Sequence, residues 1–181
     1  KNINYYCEFL NAVEPYYIFD SMKVQQILIN IIGNAMKFTQ KNGEIAIKIK
    51  QQVIKKDVAQ VFFQIKDNGI GISKEFLPHL FNTFEQEHTG ISSSYAGTGL
   101  GLAICKNLIE LMNGTISVDS DLGKGTTFDI SLKFKIPKKQ IEPIQDKKIT
   151  ILRNYDILQN KKILLCEDHD LNIEVTRRLL E

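Results

Sequence analysis

Residues 20–39 have the sequence DSMKVQQILINIIGNAMKFT, and this stretch decides the fold. Its apolar residues recur at the three- and four-residue spacing of an amphipathic helix. They are Val24, Ile27, Leu28, Ile31, Ile32, Ala35 and Phe38. At ~100° per residue these side chains fill one broad arc, so the pattern predicts a helix that packs on a core. Asp20 or Ser21 is the expected N-cap.

A second stripe of the same helix is polar, and it consists of Lys23, Gln26, Asn30, Asn34 and Lys37. These side chains fall within about a quarter turn of one another. Such a stripe is most often only a solvated face. However, amide oxygens are hard, neutral ligands for magnesium, and an ammonium group binds phosphate oxygens. The stripe therefore also fits a magnesium-bound polyphosphate, provided that the rest of the chain supplies a base pocket and a phosphate cradle.

The length of 181 residues suffices for one ordinary domain and a shorter additional segment. The 43% of hydrophobic and 24% of charged residues are typical of a globular protein. The net charge of +2 gives no reason to expect nucleic acid or a membrane surface as a partner. No apolar run approaches ~18 residues and no signal peptide opens the chain, so we expect a cytoplasmic segment. Because the chain opens on Lys1, we expect a piece of a longer protein, whose membrane anchoring is left open.

The cysteines are widely spaced and form neither a CxxC pair nor a Cys/His cluster: they are Cys7, Cys105 and Cys166. We expect them to be reduced and mostly buried, without zinc or disulfides.

Strand patterns surround the helix. They cover residues 2–10, 44–53 and 61–66, and residues 115–135 read as a hairpin with its turn at 121–123. A connection at Glu14-Pro15 and a turn at 41–43 flank the helix.

Asp67 stands where the third of these strands ends, and Gly69 and Gly71 follow it. An Asn-Gly turn explains this pattern as well as a base pocket does. In a pocket, the carboxylate would accept a hydrogen bond from an exocyclic amine, and the glycines would let a flat ring approach the backbone. Thr126 could add a hydroxyl to the pocket floor, although a structural strand threonine is the plainer interpretation.

The stretch from 73 to 95 has no clear period. An apolar cluster in its first part could anchor a short helix and a turn: Phe76, Leu77, Leu80, Phe81 and Phe84. Residues 85–96 are polar, and a loop of this length inside a compact domain is more often a functional lid than inert.

Three glycines, Gly97, Gly99 and Gly101, lead from this loop into a second predicted helix. Its expected apolar face is Leu102, Ile104, Leu108, Ile109 and Leu111, and Gly114 is expected at the C′ position. Free backbone N–H groups at such a helix start form an anion cradle. Leu102 stands where a Rossmann fingerprint needs glycine, and no Gly-Lys-Ser/Thr follows, so the loop alone is a weak signal.

Four stretches together resemble the ATP-binding catalytic domain of histidine kinases, in the Bergerat (GHKL) superfamily. INIIGNAMKFT is similar to the N box, DNGIGI to the first glycine box, FNTFEQ to the F box and GTGLGLAI to the second glycine box. The resemblance covers residues 1–136, and GKGTTF resembles the closing strand of the family. It implies an α/β (α+β) two-layer sandwich, with a mixed sheet of about five strands, three helices on one face and an ATP lid hinged at Phe81 and Phe84.

By the same resemblance, the cofactors are ATP and Mg²⁺. Asp67 would receive the adenine amine, Asn34 would ligate magnesium, and Asn30 and Lys37 would approach the phosphates. The other residues implied to bind ATP are Gly69, Gly71, Gly97, Thr98, Gly99, Leu100, Gly101 and Thr126.

One position separates branches of this superfamily. Members that hydrolyse ATP carry a glutamate four residues before the magnesium asparagine, as the general base for water, whereas this chain has Asn30. An amide cannot take a proton near neutral pH, which disfavours hydrolysis. A histidine acceptor is itself a nucleophile and needs no such base there. The residues therefore favour phosphoryl transfer. The alternatives are a nucleotide-binding module that has no catalytic activity and a GHKL ATPase.

The phosphorylated histidine of the family lies on a dimerising helical hairpin that this chain is not expected to include. None of His79, His88 and His169 has the required His-Glu/Asp-x-Arg context, so no catalytic residue is assigned. The implied partners are that hairpin and a receiver domain of the same parent, which is expected to be a homodimer.

The tail predicts a linker over 137–160 and the truncated start of a receiver domain over 161–181. In the latter, an apolar strand ends in Glu167-Asp168, which resembles the acidic pair of an incomplete receiver magnesium site. An ordinary strand-turn-helix with an acidic turn is the alternative. Some twenty residues cannot bury a receiver core, so this piece is expected to be mobile or loosely docked.

Overall fold

A computed structural model of the chain describes residues 2–11, 16–87 and 98–138, all of them within the unit Lys1–Gln140. The elements are strand β1 (Asn4–Phe9), helix α1 (Ser21–Phe38), strands β2 (Glu44–Lys55) and β3 (Val58–Asp67), a 3₁₀ turn (Leu77–His79), helix α2 (Gly101–Leu111), and strands β4 (Thr115–Asp121) and β5 (Gly125–Lys135). None of the helices in these ranges is long and apolar enough to cross a membrane.

The five strands form one mixed sheet in the order β1-β2-β3-β5-β4. Strand β1 runs parallel to β2, and the other neighbours are antiparallel. Buried residues of α1, α2, β3 and β5 belong to one hydrophobic core, so the helices cover one face of the sheet. The predicted two-layer α/β sandwich with a mixed five-stranded sheet is confirmed.

Helix α1 begins where the sequence predicts. Asp20 is its N-cap, and the Asp20 carboxylate accepts a hydrogen bond of 3.2 Å from the Lys23 backbone N–H. The predicted apolar arc is turned to the core, with Val24, Ile27, Ile31 and Ala35 buried.

The second and third strands are longer than their hydropathy predicts. They form an antiparallel ladder from Ile45 opposite Asp67 to Lys55 opposite Val58, with one irregularity near Val53. Backbone hydrogen bonds continue along a ladder whatever side chains it carries, so the polar residues at its outer end do not interrupt it.

The predicted apolar face of α2 is partly wrong. Its buried residues are Ala103, Cys105 and Ile109, whereas Ile104 is 38% and Leu111 73% exposed. The helix lies close to α1 through small side chains, and the Cys105 thiol is 3.7 Å from the Ile27 carbonyl oxygen.

The end of α2 also differs from the prediction, because Asn113 (φ 53°) and not Gly114 takes the left-handed position. The Gly114 N–H donates to the Ile109 carbonyl (2.8 Å) and the Asn113 N–H to that of Glu110 (2.9 Å), as in a Schellman motif. A Cβ atom on Gly114 would lie 2.5 Å from the Ser131 carbonyl oxygen, so close packing excludes a side chain there.

Of the three expected helices, the described ranges hold two, α1 and α2, together with a 3₁₀ turn. One further expectation is corrected. Cys7 is exposed, because it lies on the edge strand β1, although Cys105 is buried as predicted. The predicted connection at 14–15, lid residues 88–96, Gly97 and everything beyond 138, including Cys166, Glu167 and Asp168, lie outside the described residues.

We expect Ile31→Ala to lower the free energy of unfolding by about 2–5 kcal/mol, because it removes a fully buried side chain from the α1 contact with the sheet. Ile29→Ala is the matched control on the same helix, since Ile29 is 61% exposed, and its effect should stay within about 0.5 kcal/mol. Urea denaturation followed by circular dichroism measures both. Equal losses in the two variants would contradict the orientation of α1.

Candidate functional site

A cavity of about 310 Å³ opens beside α1 and the ends of β3 and β5. The predicted site residues that line it are Asn30, Asn34, Lys37, Asp67, Gly71, Thr98, Gly99, Gly101 and Thr126. These residues come from four separate parts of the sequence, and the fold brings them to one place. Of the others, Gly69 and Leu100 do not line the cavity, but their backbone N–H groups donate to Asp67 and Thr98, which do, and Gly97 lies outside the described residues.

The polar stripe of α1 divides into two parts. Asn30, Asn34 and Lys37 are half-buried and line the cavity. Gln26 is exposed and does not line it, and Lys23 forms an ion pair of 2.9 Å with Asp20. The part of the stripe near the helix C-terminus is thus the part that can meet a ligand.

Asp67 ends β3 and is 5% exposed. Its Oδ1 atom accepts a hydrogen bond of 2.8 Å from the Gly69 backbone N–H, and the Thr126 backbone N–H also donates to the carboxylate. Burial raises the pKa of the Asp67 carboxyl above 3.8, and these two hydrogen bonds oppose the rise. The outcome is a hydrogen-bond acceptor held away from water, in a fixed orientation.

Close backbone approaches hold this corner of the cavity together. Gly125 has φ +101°, and a Cβ atom there would lie 2.1 Å from the Asp67 carbonyl oxygen. Gly71 has φ +69°, and a Cβ atom there would lie 2.0 Å from the Asp121 carbonyl oxygen. Both positions need glycine because of the left-handed backbone and because of the missing space. The glycine-rich turn after Asp67 and the β4–β5 turn are therefore packed backbone to backbone.

A small hydroxyl cluster lies behind the floor of the cavity. The Thr126 and Ser120 side-chain oxygens are 3.0 Å apart, and both residues are buried. Ser120 also contacts the Gly125 carbonyl oxygen (2.8 Å) and the Ile72 backbone N–H (2.9 Å). Sequence reasoning found Thr126 and missed Ser120, whose only signal was its place on a strand opposite Thr126.

Apolar residues form most of the remaining wall, beside Glu85, Gln86 and Glu87, and the sequence reasoning did not assign them to the site. They are Ala35, Phe38, Ile70, Ile72, Phe76, Leu80, Leu102 and Phe128. The two isoleucines within DNGIGI, Ile70 and Ile72, were a usable signal, because they lie three and five residues after Asp67. A cavity with mainly apolar walls and a few fixed polar groups is typical of a small-molecule site.

The start of α2 closes another side of the cavity. Thr98, Gly99 and Gly101 line it, and Leu100 is the N-cap residue, whose N–H lies 3.4 Å from the Thr98 hydroxyl. A Cβ atom on Gly101 would be 3.3 Å from the Asn30 side-chain oxygen, so the first turn of α2 faces the amide stripe of α1.

A backbone hydrogen bond joins the residues on either side of segment 88–97. The Phe84 N–H donates to the Gly99 carbonyl oxygen at 3.0 Å, and Phe84 has a positive φ of 65°. Its ring is 73% exposed, whereas the Phe81 ring is half-buried and lies 5.7 Å from the Lys106 ammonium. This pairing fixes the two ends of the segment that was predicted to be a lid.

The arrangement separates two kinds of chemistry within one cavity. At one end, Asp67 and Thr126 offer hydrogen-bond acceptors. The other end suits anionic oxygens, because it is lined by the amide side chains of α1, by Lys37 and by the start of α2. Within residues 2–11, 16–87 and 98–138, no three His, Cys, Asp or Glu side chains are grouped to hold a metal ion.

Comparisons with known proteins agree with this geometry. Residues 19–136 match the family described as histidine kinase-, DNA gyrase B- and HSP90-like ATPases. Hybrid signal transduction histidine kinase L of Dictyostelium discoideum is 45% identical over 133 residues, which are 71% of this chain and 8% of that protein. Circadian input-output histidine kinase CikA of Synechococcus elongatus is 37% identical over 152 residues, 83% of this chain and 18% of that protein.

A solved structure described as full-length ShkA in complex with AMPPNP superposes with a TM-score of 0.59 at 29% identity. It covers 75% of this chain, and the chain covers 26% of it. The chain thus spans about a quarter or less of the length of these three proteins. Through residues 19–136 it belongs to the family of histidine kinase-, DNA gyrase B- and HSP90-like ATPases.

Proposed function

We propose that this chain is the Mg-ATP-binding catalytic part of a sensor histidine kinase, and that it donates the γ-phosphoryl group to a histidine on a separate dimerisation hairpin. The observation that carries the proposal is the grouping of Asp67, Asn30, Asn34 and Lys37 with the start of α2 around one cavity. The ShkA structure is described as a complex with AMPPNP, which is an ATP analogue. This description supports a nucleotide as the ligand.

The base of the nucleotide would lie at the β3 end of the cavity. The Asp67 carboxylate would accept the hydrogen bond of the adenine amine, and Gly71 lines the same cavity. Ile72 and Phe128 would contact the ring through apolar surface. Gly69 acts through Asp67, whose carboxylate it holds with its backbone N–H.

The phosphates would lie between α1 and the start of α2. Lys37 supplies a cation and Asn30 an amide to the phosphate oxygens. Gly97, Thr98, Gly99, Leu100 and Gly101 would hold the predicted lid against the phosphates, with the free N–H groups of the first turn of α2.

The side chains present fit a magnesium ion that is bound together with ATP. Asn34 offers a neutral amide oxygen at the cavity wall, which adds no charge against the phosphates. When bound, Mg²⁺ neutralises phosphate charge and makes the terminal phosphorus more open to attack. The role of Asn34 is to hold that ion on the phosphate side of the cavity.

Phosphoryl transfer suits the site better than hydrolysis does. Asn30 takes the place at which a hydrolytic site needs a base, and its amide cannot accept a proton near neutral pH. Two other carboxylates line the cavity and are engaged elsewhere: Glu87 accepts the Ser73 N–H at 3.1 Å, and Glu85 accepts from the Asn82 side chain at 3.0 Å. A histidine acceptor brings its own nucleophile.

The parent is proposed to be a hybrid kinase, acting as a homodimer in a phosphorelay. Residues 137–160 would be the linker and 161–181 the start of a receiver domain, with Glu167 and Asp168 as part of its magnesium site. The name of the Dictyostelium relative supports the hybrid arrangement.

We expect Asp67→Asn to weaken ATP binding about 10- to 100-fold, because a buried charge-assisted acceptor is replaced by an amide that can also donate. Calorimetric titration with ATP measures the effect. Asp119→Asn is the matched control, since Asp119 is an exposed aspartate on β4, and it should bind like the unchanged chain. Equal affinities for all three proteins would place the base elsewhere.

Asn34→Ala should remove most of the gain in ATP affinity that magnesium gives, and leave binding in EDTA nearly unchanged, because only the metal contact is lost. Gln26→Ala, on the same stripe but outside the cavity, should keep the full magnesium effect. Titrations with and without magnesium separate the two. A loss in EDTA as large as in magnesium would assign Asn34 to the nucleotide itself.

Transfer itself is tested with radiolabelled ATP and a separately supplied dimerisation hairpin from a histidine kinase. Label should appear on the hairpin histidine, while phosphate release without the hairpin stays slow. Steady release without labelling would favour a GHKL ATPase. Binding with neither release nor labelling would favour a nucleotide-binding module without catalysis.

A further inference from the structure

A third stripe of helix α1 lies roughly opposite its buried arc and is mostly apolar. It consists of Met22, Gln25, Ile29, Ile32 and Met36, and we call it the outer stripe. Met22 is 74%, Ile29 61% and Met36 55% exposed. We propose that the outer stripe binds the outer stripe of a second copy of this chain, in an antiparallel arrangement with a two-fold axis at Ile29. This interface would form whether or not a nucleotide is bound.

The spacing of the outer stripe is that of a helix that packs against another helix. Its five positions follow one another at intervals of three, four, three and four residues, which is the pattern of a coiled-coil seam. A helix face that meets only water is normally polar, with scattered single apolar residues. Here four of the five positions are apolar, and the most exposed of them recur every seven residues. The pattern therefore favours a helical partner over water.

The outer stripe borders a shallow groove of about 620 Å³. Ile29, Ile32 and Met36 of the stripe line this groove, and Phe19, Val24 and Leu28 line it on its flank. It is separate from the cavity described above, whose α1 residues belong to the polar stripe. A second helix could lie in this groove with apolar contacts on both of its sides.

Gly33 also lines this groove, in the interior of α1. A glycine in a helix interior lowers helix stability relative to alanine. Within the part of the chain that the structure describes, a Cβ atom added to Gly33 would meet no atom within 4 Å. Packing inside one copy therefore does not explain this glycine. A second helix does, because the distance between two helix axes is shortest where the side chains at the contact are small.

The outer stripe is complementary to itself. Met22 and Met36 lie seven residues on either side of Ile29, and Gln25 and Gly33 lie four residues on either side of it. In an antiparallel pair with its two-fold axis at Ile29, each Met22 meets Met36 of the second copy, and each Gln25 faces the space above Gly33. Two equal patches related by a two-fold axis are the usual form of a dimer interface. This symmetry favours a second copy as the occupant.

The charges of α1 do not oppose this pairing. Its two lysines, Lys23 and Lys37, lie on the polar stripe. In the antiparallel pair, Lys23 comes level with Ala35 of the second copy and Lys37 with Ser21, so the ammonium groups are not brought opposite one another. The positive end of each helix dipole then lies near the negative end of the other, which is favourable.

The area of the outer stripe predicts a weak dimer. With roughly 100 Å² for a fully exposed methionine or isoleucine side chain, the stripe and its flank offer roughly 300 Å² of apolar surface per copy. Because apolar atoms make up a little more than half of an interface, the two copies together would bury about 1,000 Å². Interfaces of this size are at the lower limit of specific ones, so we expect a dissociation constant on the order of 100 μM.

The first test is sedimentation equilibrium of the 181-residue chain. The unchanged chain should be monomeric at about 5 μM and mostly dimeric at about 500 μM. Ile29→Lys should raise the dissociation constant about 10-fold or more, because it places two ammonium groups at the two-fold axis. Leu111→Lys is the matched control, since Leu111 is 73% exposed on α2, and it should dimerise like the unchanged chain.

Gly33→Gln separates dimerisation from folding. The glutamine side chain would fill the space that Gln25 of the second copy faces, so the dissociation constant should rise about 10-fold. Urea denaturation at about 5 μM, where the chain is monomeric, should show a higher free energy of unfolding, because glutamine is the better helix former. A variant that only disturbed the fold would lower the free energy of unfolding, and that result together with an unchanged dissociation constant overturns the role of Gly33.

A crosslinking experiment tests the antiparallel direction. With Cys7 and Cys166 replaced by serine, Met22→Cys and Met36→Cys are mixed at about 500 μM and treated with a short bismaleimide, which joins two thiols as thioethers. The remaining Cys105 is buried. The mixture should give a crosslinked dimer, and Met22→Cys alone should not. Stronger crosslinking of Met22→Cys alone contradicts the antiparallel pair.

The remaining outcomes also decide the matter. A chain that is monomeric up to about 500 μM overturns the proposal, as does a dimer that Ile29→Lys and Leu111→Lys leave equally intact. A separately supplied dimerisation hairpin that binds the monomeric chain but not Ile29→Lys would assign the outer stripe to the hairpin instead of a second copy.

Discussion

The cavity depends on the burial of one side of α1 against the sheet. Ile27 and Ile31 are almost completely buried, in the same core as Ile65 of β3 and Ile130 of β5. Successive residues of a helix are ~100° apart, so fixing these isoleucines also fixes where their polar neighbours lie. Asn30 and Asn34 each precede a buried residue, and the core therefore sets them at the cavity edge. A packing interaction thus positions the groups proposed for phosphate and magnesium.

A second constraint fixes the base end, and it comes from the backbone. The turn after Asp67 and the turn between β4 and β5 approach each other so closely that no side chain fits at Gly71 or Gly125. This contact buries Asp67 and brings Ser120 to Ile72 and Thr126. Burial raises the pKa of the Asp67 carboxyl, and the backbone N–H groups of Gly69 and Thr126 oppose that rise by donating hydrogen bonds to the carboxylate. The two ends of the cavity are thus held by different kinds of contact, and the Ile70 N–H, which donates to the Phe38 carbonyl oxygen at 3.3 Å, joins the turn after Asp67 to the end of α1.

Much of this could be predicted from the sequence, since the periods of α1 and of the strands are strong. The positions of Asp67 and of the glycines in short motifs also led directly to the cavity. The buried face of α2 could not be predicted well, because apolar residues occur on several of its sides and the contact uses the small residues Ala103 and Cys105. Ser120 was also missed, because its place opposite Thr126 in the hairpin is a weak signal and its other partner Ile72 is 48 residues away.

The central claim is that one nucleotide spans both ends of this cavity. Backbone amide NMR spectra of the chain, recorded with and without magnesium and AMPPNP, test it most directly. The account predicts shifts at Asp67, Gly71 and Thr126 at the base end and at Asn34 at the other, all with the same saturation curve, and none along β1. Shifts confined to one end, or a larger response at β1 than at the cavity, would contradict it.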